Sequence, residues 1–71
     1  MSEWRLLAHV ALNTRHQYVE EEVGTGIRRE VHTPKREDGS FGKPREYYYH
    51  PSEPRDVTHD NYAEALAAIR D

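Results

Sequence analysis

The chain has no cysteine and only one methionine, one tryptophan and one phenylalanine among its 71 residues. Without cysteine there are no disulfide staples, no thiolate nucleophile and no cysteine-containing zinc pattern. Apolar residues are scarce as well, at 35%. A chain this short buries only about 60% of the surface its unfolded form exposes, which excludes a second independent core. Its stability must come from packing, from a metal held by other ligands, or from a partner. Long apolar runs are also missing. The longest, Leu6 to Leu12, is broken by His9 and falls far short of the roughly 20 residues that cross a bilayer. Met1-Ser2-Glu3-Trp4 lacks the basic start of a secretory leader, so the expectation is a cytoplasmic protein without membrane contact. Positive charge is not in excess: 10 Lys and Arg stand against 13 Asp and Glu, for a net charge of -3, the opposite of an all-over basic nucleic-acid binder.

What is present reads as a small α+β domain over residues 1–71. Trp4, Leu6, Ala8, Val10 and Leu12 alternate with Arg5, Leu7, His9 and Ala11, the period of a strand, and the even positions are expected to face the core. Asn13 to His16 supplies turn chemistry. The segment Gln17 to Val23 admits a second strand antiparallel to the first, or a short helix capped by Thr14 and Gln17. Three glutamates at its carboxyl end oppose the helix, because the macrodipole disfavours negative charge there. Gly24-Thr25-Gly26 marks a turn that needs positive backbone angles. Ile27 to Thr33 alternates again and ends at Pro34, and residues 34–45 form a mobile, charged hairpin loop. Tyr47-Tyr48-Tyr49 returns antiparallel to it until Pro51 and Pro54 stop the strand. Thr58 is the expected N-cap of a C-terminal amphipathic helix, with Val57 and Tyr62 as its hydrophobic staple. The apolar stripe Tyr62, Ala65, Leu66 and Ile69 suits one face of a sheet. The fold expected is a three- to four-stranded antiparallel sheet with that helix on one face.

The residues for catalysis are not assembled in any readable pattern. Ser2, Ser40 and Ser52 lie in a tail and loops, outside any nucleophile elbow. Gly42-Lys43-Pro44 lacks the glycine spacing, the following hydroxyl and the helix of a phosphate loop, so no cofactor is expected. His9, His16, His32, His50 and His59 follow no zinc spacing and read as surface or edge-strand residues rather than metal ligands. The chain is therefore read as non-catalytic.

Tyrosine clustering carries a more specific signal. Tyr47 and Tyr49 face one way along a strand and Tyr48 the other, and tyrosines are enriched at binding hot spots. Charge is uneven, at -2 over residues 1–24, +3 over 25–45 and -4 over 46–71. The first expectation is a protein-binding module, an inhibitor or adaptor of the kind phages and mobile elements direct at larger, often nucleic-acid-handling, machines. Its contacts would be Tyr47, Tyr49, Glu20, Glu21 and Glu22, and an edge strand offers homodimerisation. The alternative is a nucleic-acid reader that lays an open sheet face in a groove, with Arg28, Arg29, Lys35, Arg36, Lys43 and Arg45 on phosphates.

Overall fold

The computed structural model describes residues 3–70. Four strands, β1 (Trp4–Ala11), β2 (Arg15–Glu22), β3 (Arg28–Pro34) and β4 (Arg45–Tyr49), form one antiparallel sheet in the order β1-β2-β3-β4, followed by the helix α1 (Tyr62–Ile69). The Gln17 to Val23 segment is thus a strand. Tyr18 faces Val31, and Glu20 and Glu21 lie opposite Arg29 and Arg28, so the glutamates that would burden a helix end instead make cross-strand ion pairs. Gly24 and Gly26, at φ 108° and 78°, turn the chain between β2 and β3. Gly26 has a second constraint, since a Cβ there would sit 3.0 Å from His50 Nε2.

The core is small and lies at one end. Ile27 and Ala65 are fully buried, Tyr48 nearly so, and Trp4, Tyr62, Leu66 and Ile69 pack around them. The rings of Trp4, Tyr48 and Tyr62 meet edge to face with centroids 6.2–6.5 Å apart, the arrangement aromatic quadrupoles favour. Glu22, 4% exposed, accepts hydrogen bonds from Tyr62 (2.5 Å) and Thr25 (2.6 Å), which ties β2 to the helix.

Two expectations are corrected. The even face of β1 is not continuous core, because the pairing slips between Leu6 and Ala8. This bulge at Leu7 turns Ala8, Val10 and Leu12 to the opposite face from Trp4 and Leu6. Leu6, Leu7, Val10 and Leu12 are all exposed. The helix does not start at Thr58. Backbone hydrogen bonds in both directions between His59 and Tyr48, 2.7 and 2.8 Å long, hold residue 59 extended against β4. Asn61 becomes the cap, its side chain accepting from the Glu64 amide at 2.9 Å, and Val57 and Tyr62 lose their staple spacing.

A helix of eight residues is about 12 Å long at ~1.5 Å per residue, whereas β1, also of eight residues, runs about 27 Å at ~3.4 Å per residue. One helix therefore covers less than half of the sheet's length. The outcome is an elongated body of 46 × 22 × 20 Å with a radius of gyration of 13.5 Å, against about 11 Å for a compact domain of this length.

Candidate functional site

The sheet face opposite α1 carries the densest polar network. Alternation on β3 places Arg28, Glu30 and His32 there, and the β3–β4 register sets Arg28 opposite Tyr49, Glu30 opposite Tyr47 and His32 opposite Arg45. Glu30 lies at the centre. Tyr47 donates a very short hydrogen bond to its carboxylate, His32 Nε2 approaches the same oxygen at 2.6 Å, and Tyr49 donates to the other at 3.3 Å. The His32 and Tyr47 rings stack with centroids 5.8 Å apart, and Tyr49 lies 6.2 Å beyond Tyr47. Partial burial works to raise the Glu30 pKa, but the hydrogen bonds from Tyr47 and His32 outweigh it and hold the carboxyl below its ordinary range. Burial, reinforced by the Glu30 charge, pushes the Tyr47 hydroxyl up to about 12 and raises that of Tyr49. At neutral pH the network therefore pairs a carboxylate with neutral phenols, and each ring is pinned by its polar tip.

An open groove of about 750 Å³ runs from this network along β4, bounded on its far side by residues 50–60. Its walls mix Arg28, Arg45 and Arg55 with Glu30, Glu46, Glu53 and Asp60. Hydrogen bonds at both imidazole nitrogens hold that far wall. His50 Nε2 donates to the Thr25 carbonyl at 3.0 Å while Nδ1 accepts from the Ser52 amide at 3.1 Å, and His59 Nε2 meets the Glu53 carboxylate at 3.0 Å.

The residues expected at a protein-binding surface do not all share a face. Tyr47, Tyr49 and Glu21 lie on the open face, where Glu21 bridges Arg28 (3.3 Å) and Arg5 (3.1 Å). Glu20 lies on the helix face in an ion pair with Arg29 at 2.6 Å, and Glu22 is buried beneath α1. The basic set is divided in the same way. Arg29 stacks over Trp4 at 4.5 Å, its pKa raised chiefly by the hydrogen bond to Glu20, whereas Arg28 and Arg45 face the groove. Arg36 is turned back onto its own hairpin, bonding the Ser40 hydroxyl and the Phe41 carbonyl. That 34–45 hairpin has internal order of its own, with Lys35 bridged to Phe41; Lys43 is exposed at its return.

Sequence reasoning missed Glu30 and His32. Their signal was available in the alternation Arg28-Glu30-His32 opposite Tyr47 and Tyr49, but it needed the register to become visible. Among the described residues no group of three or more His, Cys, Asp or Glu converges as a metal site, and no helix is long and apolar enough to cross a membrane. No family model, curated protein or solved structure matches this chain.

Proposed function

We propose that this chain is a non-catalytic protein-binding module, an inhibitor or adaptor, which engages its partner through the open sheet face around Tyr47 and Tyr49. The observation that carries this reading is the pinned tyrosine pair: two half-buried rings, each tied to Glu30 through its hydroxyl and set beside a mixed-charge groove. Rings fixed before binding lose little conformational freedom on contact, and that lowers the entropic cost of association. A groove lined by three arginines and four carboxylates matches a protein surface of alternating charge better than a uniform line of phosphates. The division of the basic residues between the two faces also removes Arg29 from the phosphate set of the alternative reading.

The test is affinity capture of the tagged chain from lysate of its source cells, with and without nuclease, alongside the Tyr47→Ala/Tyr49→Ala double variant. The expected result is a stoichiometric protein that survives nuclease and is lost at least tenfold in the double variant, with Arg70→Ala as a neutral control. Nucleic acid in the eluate, with every protein lost on nuclease treatment, would replace this reading with groove binding through Arg28 and Arg45.

A further inference from the structure

We infer that β1 pairs with the β1 strand of a second copy of this chain, antiparallel about a two-fold axis at Val10, so that two four-stranded sheets join into one. This concerns the sheet edge and stands independently of the partner proposed for the tyrosine face.

The two edges of the sheet are treated differently. β4 has five residues, begins with Arg45 and Glu46, and has its outer side paired to His59. β1 has eight residues whose only formal charge is Arg5, and it pairs with β2 on one side only. Among the described residues nothing pairs with its other side. Its exposed side chains include Leu6, Leu7 and Val10, with Leu12 just beyond. A long apolar edge of this kind is a template for another strand. The bulge at Leu7 twists the amino-terminal half out of line, which leaves Ala8 to Leu12 as the straight portion.

The backbone fixes which groups are free. The Leu12 amide bonds the Arg15 carbonyl, so by antiparallel alternation Val10 and Ala8 turn their polar groups toward β2 and His9 and Ala11 turn theirs outward. Pairing about Val10 sets His9 opposite the second copy's Ala11 and satisfies both sets of outward groups. Val10 meets its own copy as a close, non-hydrogen-bonded pair, and Ala8 meets Leu12, so the cross-strand pairs on the open face are all apolar.

Three further observations favour a second copy as the occupant. Self-pairing brings no like charges together: Arg5 lies five residues from the axis, so the two copies of it are about 33 Å apart at ~3.3 Å per residue, well beyond the Debye length of about 8 Å. The helix sits at the Trp4 end of the sheet, so the two helices lie at opposite ends of the joined sheet and do not collide. The accessible surface, 5383 Å², exceeds the roughly 4,600 Å² of a compact 8.4 kDa monomer by about 800 Å², the excess of an elongated body that leaves this edge uncovered. A two-fold axis normal to the sheet also sets both tyrosine networks on the same side of the assembly, making it bivalent.

The chain has no cysteine, so a single introduced thiol reports on the pairing directly. Val10→Cys and, as a control, Val23→Cys at the exposed β2–β3 turn are oxidised mildly and followed on non-reducing gels, while the mass of the unaltered chain is measured by light scattering over a concentration series. The proposal expects a concentration-dependent dimer of the unaltered chain, Val10→Cys cross-linked at least tenfold faster than Val23→Cys, and a folded monomer for Val10→Lys by circular dichroism. A monomer at every concentration up to about 1 mM would overturn it. So would equal cross-linking of the two cysteine variants, which indicates random collision or aggregation.

Discussion

The helix-covered end of the molecule and the bare end around Ala8 to Leu12 are built from the same sheet but held by different forces. At the covered end Ile27, Tyr48 and Ala65 are removed from water, with Trp4, Tyr62, Leu66 and Ile69 packed against them. At the bare end hydrogen bonds to β2 hold an apolar strand that, among the described residues, has neither a layer above it nor a strand on its outer side. The difference separates two parts of one sheet: eight helical residues close the core at one end, and the length of sheet they do not reach is the part to which the edge-pairing proposal assigns contact with a second copy.

The sharpest way to break that comparison is to shorten an aliphatic side chain at each end. Ile27→Ala, at a fully buried site, should cost about 2–5 kcal/mol, enough to unfold much of a domain whose whole stability is of order 5 kcal/mol. Leu12→Ala, at a site 44% exposed, should cost no more than about 0.5 kcal/mol in dilute solution. Urea unfolding followed by circular dichroism measures both, and equal losses would mean that the bare end also carries the fold. A smaller effect is expected at the seam between sheet and helix. Tyr62→Phe removes a donor from the buried Glu22 carboxylate and should cost about 1–3 kcal/mol, read by the same unfolding curve.

The open face should show itself in alkali. Tyr47 is raised to about 12 by burial and the Glu30 charge, so the stability linked to its proton is intact below pH 10 and is lost as the pH rises from 10 to 12. Tyr47→Phe should therefore flatten the fall in melting temperature over that window and remove the latest-ionising phenol from the tyrosinate absorbance titration. Loss of a phenol that ionises near pH 10 instead would show that Tyr47 is not held by Glu30. On the acid side the sign reverses. The depressed Glu30 pKa gives stability that is present above pH 4.5 and lost as the pH falls through the folded-state value.

Much of this arrangement was legible in the residues. Period-two alternation marked β1 and β3, Gly24-Thr25-Gly26 marked the turn into β3, and the tyrosine run divided between faces as its spacing requires. Glu20 to Glu22 argued against a helix for a sound reason, and the ladder then gave Glu20 and Glu21 arginine partners no local pattern could name, while Glu22 turned under the helix to Tyr62. The bulge at Leu7 left no trace, because it inserts one residue without changing composition, yet it moved Ala8, Val10 and Leu12 to the other face. The helix start was misread where two cap signals compete. Thr58 and Asn61 both fit, and Asn61 has Glu64 three residues on, but the long-range pairing of His59 with Tyr48 decided between them. Glu30 and His32 stayed hidden for the same reason, since their importance is set by strand register.

Hydrogen exchange, resolved by residue and run at low and high protein concentration, tests the central contrast between the two edges most directly. The Tyr48 and His59 amides, bonded to each other's carbonyls, should be slow at both concentrations. Those of His9 and Ala11 should exchange fast in dilute solution and become protected as concentration rises. Slow exchange at His9 and Ala11 in the dilute monomer, or fast exchange there at every concentration, would contradict an edge left free to take up a second strand.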